Sequence, residues 1–345
     1  MAVIVGTEDS DTISGTAGND EIRGMGGDDS IYALEGDDLI YGNDGDDSIY
    51  AGGGSHIIWG NLGNDRIYGG NGSDDISGGE GEDIVFGSTG FDTLSGGKGN
   101  DYLNAGGDDD VVDGNSGNDS LYGGAGNDQL EGSSGDDYLQ GDLGDDLMSG
   151  GSGLDLMIGG YGNDSIRGGD GYDTLDYSRL ADGIGVDLSA GSVSKGEAVG
   201  IDGVNGVEHV VGTAFADRMM GSAGANSFDG GAGDDVFNGR AGVDTYTGGE
   251  GMDTFTFFAR DVIRSGVHQG IDVINDYAAG DAIDLSDFFA KGAPQNIMDA
   301  VALRATSGGT MLSVKTGGQF ADVVELKGVA VEDAMAQASD GMFIY

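Results

Sequence analysis

Residues 123–131 read GGAGNDQLE, and residues 159–167 read GGYGNDSIR, a second copy of the same nine-residue pattern. Extended in both directions, the pattern stays in phase from Gly6 to Asp176 and gives 19 consecutive blocks without an insertion or deletion. The first and fourth positions are mostly Gly, the sixth is Asp in 18 blocks, and the eighth is aliphatic or Met in all 19. A fixed short period of this kind indicates a stack of small units, each of which contacts only its neighbours.

The pattern predicts a turn followed by a short strand. Repeated Gly allows positive φ, and the fifth position is Asp or Asn, which tolerate left-handed backbone, in 12 of 19 blocks. Positions one to six are therefore expected to form a turn, and positions seven to nine a three-residue strand with the eighth side chain inward. Two strands and two turns make one coil of the stack. Stacked coils would bury aliphatic side chains between two parallel sheets, so we expect an all-β fold, a parallel β-roll.

The sixth-position carboxylates are the candidate metal ligands. Blocks two apart in sequence lie side by side in neighbouring coils, which places their sixth residues roughly 4.8 Å apart. Carboxylates and turn carbonyls are hard oxygen ligands that suit Ca²⁺, whereas Mg²⁺ retains its own waters and Zn²⁺ prefers His or Cys. The candidate calcium ligands of this run are Asp11, Asp20, Asp29, Asp38, Asp47, Asp65, Asp74, Asp83, Asp92, Asp101, Asp110, Asp119, Asp128, Asp137, Asp146, Asp155, Asp164 and Asp173.

The nonapeptide resembles the GGxGxDxUx repeat, where U is a large apolar residue, of RTX or hemolysin-type calcium-binding proteins. Blocks 123–131 and 159–167 match that repeat at every defined position. The resemblance implies a parallel β-roll with Ca²⁺ held between successive turns on each side.

The number of calcium ions follows from the pairing of blocks. Each block pairs with the block two further on, which gives 17 pairs of sixth positions, and 15 of them have Asp on both sides. About 15 divalent ions would supply roughly +30 against a formal net charge of −48. We therefore expect a chain that repels itself without calcium and folds when calcium binds.

His56, in block 51–59 (AGGGSHIIW), is the one departure at the sixth position. The simpler interpretation is a lapsed calcium site whose neighbours carry the fold. The alternative is a transition-metal or pH-sensitive step in the column.

The repeats stop at residue 176 and resume in a new frame. Residues 177–211 contain alternating stretches at 184–191 and 207–212 that predict short strands. A second, shorter roll is predicted at 212–256, where the sixth positions are Asp217, Asn226 and then three further carboxylates. Only the last three blocks fit calcium fully, and their candidate ligands are Asp235, Asp244 and Asp253.

Residues 257–345 predict a β-rich C-terminal cap. Helices are expected at 295–303 and 331–338, with a hairpin at 310–326 between them. Residues 270–289 are similar to the segment that caps the roll in serralysin-type proteases. That resemblance implies that the uncleaved C-terminus, here 340–345 (DGMFIY), addresses the chain to a type I secretion apparatus.

Composition excludes several functional classes. A net charge of −48 makes nucleic acid an unlikely partner, and the absence of Cys excludes disulfides and Cys-based metal sites. The first ten residues lack the features of a signal peptide, and no stretch is long and apolar enough for a transmembrane helix. The histidines, His56, His209 and His268, are scattered, no G-x-S-x-G motif occurs, and the first block begins at Gly6. We therefore expect no catalytic domain and no enzymatic activity.

Aromatic residues at the ninth position form a second pattern. Tyr32, Tyr50, Tyr68 and Phe86 would lie in register on one outer face, with Tyr41 and Trp59 on the opposite face. Such a ladder stiffens a sheet. Alternatively, it forms a contact surface for self-association, for a glycan or other surface, or for the cap.

These features predict a secreted, extracellular calcium-binding protein with a structural, adhesive or binding role. The alternatives are a host-directed effector or hemolysin-like toxin, or an accessory module of a secreted enzyme. No membrane-inserting apolar segment of a pore-forming toxin is visible in the sequence.

Overall fold

The computed structural model of the chain describes residues 1–196, 199–264, 267–289, 299–316, 318–339 and 342–344. The chain divides into two compact units, Met1–Thr174 with Asn205–Val207, and Leu175–Val204 with Glu208–Tyr345. In the described residues, nearly all regular secondary structure of both units is β-strand, which confirms the predicted all-β class.

The first unit is a stack of parallel strands in two sheets. The odd-numbered strands form one sheet and the even-numbered strands form the other, and each pairs with the strand one coil further on. For example, Ile31 lies opposite Ile49, and Tyr32 lies opposite Tyr50. The strands are β1 Val3–Val5, β2 Thr12–Ser14, β3 Glu21–Gly26, β4 Ser30–Glu35, β5 Leu39–Asp44, β6 Ser48–Gly53, β7 Ile57–Leu62, β8 Arg66–Asn71, β9 Asp75–Glu80, β10 Ile84–Thr89, β11 Thr93–Lys98, β12 Tyr102–Gly107, β13 Val111–Ser116, β14 Ser120–Ala125, β15 Gln129–Ser134, β16 Tyr138–Leu143, β17 Leu147–Gly153, β18 Leu156–Tyr161 and β19 Ser165–Gly171.

The core of the first unit is the predicted column of eighth-position side chains. These residues are at most 6% exposed, and most are fully buried. Burial of one aliphatic side chain contributes about 1.5–3 kcal/mol, so the column is the main apolar contribution to the stability of the roll.

The strands are longer than predicted. Most have six residues rather than three, because positions one to three of the next block continue the strand, as in β4. The first position is also buried, but its usual Gly has no side chain and is invisible in a hydrophobic pattern. The expectation that all six leading positions form the turn is therefore wrong for most blocks.

The left-handed residues also differ from the prediction. They occupy the second and fourth positions, as at Leu34 (φ 85°) and Gly36 (φ 114°), rather than the fifth. Fifth-position side chains instead accept a hydrogen bond from the neighbouring coil, as where the Asp46 N–H donates to Asp28 Oδ1 over 3.0 Å. Asp and Asn are common there because they are short acceptors.

The second unit contains the second roll and the cap. The remaining strands are β20 Thr174–Asp176, β21 Gly185–Asp187, β22 Ser192–Ser194, β23 Ile201–Asn205, β24 His209–Val211, β25 Arg218–Met220, β26 Ser227–Asp229, β27 Val236–Asn238, β28 Thr245–Thr247, β29 Thr254–Thr256, β30 Ile263–Arg264, β31 Val267–His268, β32 Asp272–Ile274, β33 Ala282–Asp284, β34 Val301–Ala305, β35 Gly309–Thr316, β36 Gln319–Lys327 and β37 Phe343–Ile344. The helices are α1 Ala259–Val262, a 3₁₀ turn at Ser286–Phe289, and α2 Val331–Ser339.

The cap extends the sheets of the second roll. Parallel pairing continues from β29 to β33 and β37 in one sheet, and from β28 to β32 and β36 in the other. The core of this unit is aromatic, and its fully or almost fully buried residues include Phe228, Phe237, Tyr246 and Phe255. A parallel roll therefore runs directly into the cap without a sheet edge between them.

Most predicted elements of the second unit are confirmed. Strands β21 and β24 lie in the two stretches predicted at 184–191 and 207–212, the hairpin is β35–β36, and the second helix is α2. The predicted helix at 295–303 is wrong at its end, because residues 301–303 begin β34, which pairs with β35. Residues 295–298 lie outside the described part of the chain.

Candidate calcium sites

The backbone ladder positions each sixth-position Asp. The N–H of one Asp donates a hydrogen bond to Oδ1 of the Asp one coil further on, as from Asp128 to Asp146 over 2.9 Å and from Asp146 to Asp164 over 3.1 Å. The same contact recurs along both columns of turns. One carboxylate oxygen is thus fixed by the fold, and the other oxygen faces a different environment.

The second oxygen, Oδ2, has no hydrogen-bond partner in most of these residues, although it is buried. Buried polar atoms without a partner are uncommon in folded proteins, and binding of a cation is one way to satisfy a buried carboxylate oxygen. The sixth-position residues of this kind are Asp29, Asp38, Asp47, Asp65, Asp74, Asp83, Asp92, Asp101, Asp110, Asp119, Asp128, Asp137, Asp146, Asp155, Asp235 and Asp244.

The first-position Gly makes space for this oxygen. A Cβ added to Gly141 would lie 2.2 Å from Asp146 Oδ2 and 2.7 Å from the carbonyl oxygen of Gly159, in the next coil. A carboxylate oxygen and a backbone carbonyl oxygen therefore line the same small space. This donor set consists of hard oxygens, as Ca²⁺ requires, so the residues present fit that ion.

Burial raises the pKa values of many sixth-position carboxyls, and neighbouring carboxylates raise them further. The pKa of Asp65 rises to about 8, that of Asp119 to about 7, and that of Asp47 to about 6. In the second roll the pKa of Asp244 rises to about 8, through burial first and the charge of Asp272 next. Negative charge is thus disfavoured at these positions unless a cation compensates it.

Two predicted ligands, Asp11 and Asp20, have different surroundings, and so does Asp217 of the second roll. In all three, Oδ2 accepts a hydrogen bond from the second-position Thr; Thr16, for example, donates its N–H to Asp20 Oδ2 over 2.7 Å and its hydroxyl over 2.8 Å. Asn226 Oδ1 similarly accepts the N–H of Ser222 over 2.8 Å. The sequence pattern separated the Asp217 and Asn226 turns from the calcium-competent blocks, but it did not separate those of Asp11 and Asp20.

His56 occupies the sixth position without a carboxylate. Its side chain is fully buried, and the Asp38 N–H lies 3.3 Å from Nδ1, which takes the place that Asp Oδ1 has elsewhere in the ladder. Its own N–H donates to Asp74 Oδ1 over 2.8 Å. Burial lowers the pKa of His56, so the neutral imidazole continues the backbone ladder.

The second roll and cap bring together carboxylates that the sequence analysis missed. The N–H of Asp235 donates to Asp253 Oδ1 over 3.0 Å, as predicted for that pair. The Asp244 N–H donates to Asp272 Oδ1 over 2.9 Å, and the Asp253 N–H donates to Asp281 Oδ1 over 3.1 Å. The cap therefore continues the ladder with a spacing of 28 instead of 18 residues. The signal was present in the sequence, because DVIN at 272–275 and AIDL after Asp281 keep the Asp-x-apolar pattern.

No cluster of three or more His, Cys, Asp or Glu side chains suited to a metal occurs in the described part of the chain. The candidate sites instead combine carboxylates with backbone carbonyls. Within the same residues, no helix has the length and apolar character needed to cross a membrane.

Comparison with known proteins agrees with this geometry. The family model for the RTX calcium-binding nonapeptide repeat matches residues 5–39, 26–55, 57–85, 86–121, 113–148, 122–157, 140–175, 149–183, 202–237, 211–246 and 220–255. No curated protein matches the chain at a significant level.

Two solved structures are among those that match parts of the chain. The solution structure of the AlgE6R3 subunit of the Azotobacter vinelandii mannuronan C5-epimerase is 28% identical, covers 40% of this chain and 77% of its own, and has a TM-score of 0.32. The crystal structure of the extracellular lipase LipA from Serratia marcescens is 17% identical, covers 74% of this chain and 44% of its own, and has a TM-score of 0.21.

Proposed function

Because the chain belongs to the family of proteins with RTX calcium-binding nonapeptide repeats, we propose that it is an extracellular protein that folds on binding calcium and then serves a structural, adhesive or binding role. The observation that carries the proposal is the column of buried Asp Oδ2 atoms without a hydrogen-bond partner. Proteins of this family are typically secreted.

The described residues support a fold that depends on calcium. The sixth-position Asp side chains hold one oxygen on the ladder and offer the other beside a first-position carbonyl, as at Asp146 and Gly159. Bound calcium would supply the positive charge that these buried carboxylates lack. Without it, burial of like charges opposes folding, and the aliphatic column alone must compensate for chain entropy.

We propose the turns at Asp29 to Asp173, with those at Asp235, Asp244 and Asp253, as the calcium-binding set. Within the first run these turns contain 13 Asp–Asp pairs, two fewer than the 15 counted along the sequence, because Asp11/Asp29 and Asp20/Asp38 are left out. The turns at Asp11, Asp20 and Asp217 are not in this set, because their Oδ2 atoms accept hydrogen bonds from Thr.

Export through a type I secretion apparatus fits this dependence on calcium. A chain that folds only at millimolar calcium stays unfolded inside a cell and folds outside, where extracellular calcium sites have dissociation constants of about 10⁻⁴–10⁻³ M. In the proposed C-terminal address, Phe343 and Ile344 form β37 beside β33. Residues 340, 341 and 345 lie outside the described part of the chain.

An aromatic ladder supports the proposed contact surface. The rings of Tyr32, Tyr50, Tyr68 and Phe86 stack with centroids 5.0–5.1 Å apart and planes within 7° of parallel. Beyond Phe86 the ladder continues with tilted ring contacts, from Phe86 to Tyr102, then to Tyr122 and then to Tyr138. Because Tyr32 and Tyr50 are about two-fifths exposed, the ladder presents ring edges and hydroxyls to solvent.

We propose no catalytic step for the chain. The abundant carboxylates are positioned by the ladder rather than gathered in a cleft, which supports a binding role. A hydrolase screen on the calcium-folded protein tests this directly, and turnover above a chelator-treated control would contradict it.

The proposal is tested in two stages. First, the purified chain is titrated with calcium while β-structure and bound ions per chain are measured, and its location in a producing culture is determined. Second, the variant Tyr50→Ser/Tyr68→Ser/Phe86→Ser is compared with Tyr41→Ser/Trp59→Ser, a stacked pair with centroids 4.8 Å apart on the opposite sheet. Loss of adhesion or self-association only in the first variant supports the contact surface, and unchanged behaviour in both contradicts it.

A further inference from the structure

The turns that open each run differ in backbone conformation from the turns that follow. Blocks 6–14, 15–23 and 212–220 carry Thr at the second position: Thr7, Thr16 and Thr213. None of these Thr residues has positive φ, and neither does the residue at the fourth position of the same blocks. In the later blocks of the first run both positions are left-handed, as at Asp142 (φ 73°) and Gly144 (φ 134°).

The Thr side chain supplies donors to the carboxylate. In block 15–23, the N–H and hydroxyl of Thr16 both donate to Asp20 Oδ2, while the Ala2 N–H donates to Oδ1 over 2.9 Å. In block 6–14, Thr7 makes the same two contacts with Asp11 Oδ2, over 2.7 and 2.9 Å. The oxygen that has no partner in the inner turns is therefore hydrogen-bonded in these turns.

The second roll repeats the arrangement. Thr213 donates its N–H to Asp217 Oδ2 over 2.7 Å and its hydroxyl to Oδ1 over 3.0 Å. Oδ1 also accepts the Ile184 N–H over 2.7 Å. Two separate runs thus begin with a Thr that donates both its N–H and its hydroxyl to a sixth-position Asp, although the Thr213 hydroxyl reaches Oδ1 instead of Oδ2.

A hydroxyl side chain at the second position accompanies the difference, since Ser222 of block 221–229 also lacks positive φ and donates its N–H and its hydroxyl to Asn226 Oδ1 over 2.8 and 3.2 Å. Thr is β-branched and avoids the left-handed conformation that the inner turns require at this position. Its hydroxyl then lies within reach of the carboxylate as a short donor. Hydrogen bonds from the backbone of Ala2 and Thr16 lower the pKa of Asp20, whereas burial raises the pKa of inner carboxyls such as Asp146. Burial also raises the pKa of Asp217, and the hydrogen bonds from Thr213 and Ile184 offset this only in part.

We propose that second-position Thr determines that a turn takes no calcium, and that the Thr donors stabilise the opening carboxylates Asp11, Asp20 and Asp217 in place of the ion. This inference rests on the proposed function, in which the inner turns bind calcium. It removes the pairs Asp11/Asp29 and Asp20/Asp38 from the expected sites. The first coil of the roll is then held by the protein's own hydrogen bonds.

The test exploits a single substitution that restores the repeat. Thr16→Gly changes block 15–23 to GGAGNDEIR, and the Ala33 carbonyl oxygen already lies 2.4 Å from the position of a Cβ on Gly15. Ions per chain at saturating calcium are counted by native mass spectrometry. We expect one more ion in Thr16→Gly than in the wild type. Thr213→Gly is the matched control and should gain none, because Phe215 holds its fourth position, which must be left-handed.

A second variant keeps the test decisive if Thr16→Gly does not fold. Asp20→Asn retains an acceptor for Thr16 and should leave the ion count unchanged, whereas Asp146→Asn should lower it. An ion lost in Asp20→Asn, or an unchanged count in folded Thr16→Gly, overturns this inference alone. A wild type that binds no calcium overturns the proposed function and the inference with it.

Discussion

Replacing Asp146 by Asn should stabilise the calcium-free protein and destabilise the calcium-loaded protein. Asp146 is 2% exposed, its Oδ1 accepts the Asp128 N–H, and its Oδ2 has no partner. An Asn side chain keeps the acceptor and removes the charge. The substitution therefore separates the role of the ladder from the role of the carboxylate.

The expected magnitudes follow from the pKa and from mass action. Burial raises the pKa of Asp146 to about 7, helped by the charges of Asp164, Asp128 and Asp142. Relative to an unfolded value of about 3.9, this shift costs about 4 kcal/mol at pH 8, which Asn removes. With calcium at about 10 mM, two extracellular-type sites each contribute about 1.4–2.7 kcal/mol, so losing both costs about 3–5 kcal/mol.

The assay compares Asp146→Asn with Asp145→Asn. Asp145 is the exposed neighbour, and its removal changes the net charge by the same amount without touching a candidate site. Urea unfolding with calcium and acid-dependent folding in chelator give the two stabilities, and native mass spectrometry gives the ion count. We expect up to two ions fewer in Asp146→Asn and no change in Asp145→Asn. Equal effects of the two substitutions would refute the assignment of the sixth position.

Three further outcomes are expected. Carboxyls whose pKa is raised in the folded state favour folding most below their unfolded pKa near 4, and this contribution is lost as pH rises through 6 to 8. In chelator, lowering the pH from 8 to 5 should therefore increase the β-structure seen by circular dichroism. Gly144→Ala places a Cβ 1.6 Å from the Gly126 carbonyl at φ +134° and should lower stability by at least about 1–3 kcal/mol in urea unfolding, whereas Gly18→Ala, with nothing within 4 Å, should not. His56→Asp should bind up to two more calcium ions, and an unchanged count would contradict the pairing rule.

The period of nine predicted the features that depend on side-chain identity. The inward column at the eighth position, the partners one coil apart and the stacked rings at the ninth position all follow from a strict repeat. Each of these depends on one residue type at one position, and a single sequence displays that directly.

Features that depend on backbone conformation were harder to predict. Strand length was missed because the inward first position is usually Gly, which leaves no trace in a hydrophobic pattern. The opening turns at Asp11 and Asp20 were missed because their Asp matches the repeat, while Thr7 and Thr16 change the hydrogen bonding. Asp272 and Asp281 were missed because the insertion of ten residues changes the spacing from 18 to 28.

Calcium-dependent folding is the central claim, and far-UV circular dichroism during a calcium titration at pH 8 tests it most directly. The account predicts a largely unordered spectrum in chelator and a cooperative gain of β-structure at millimolar calcium, reversed when chelator is added again. A spectrum rich in β-structure that is the same with and without calcium would contradict it.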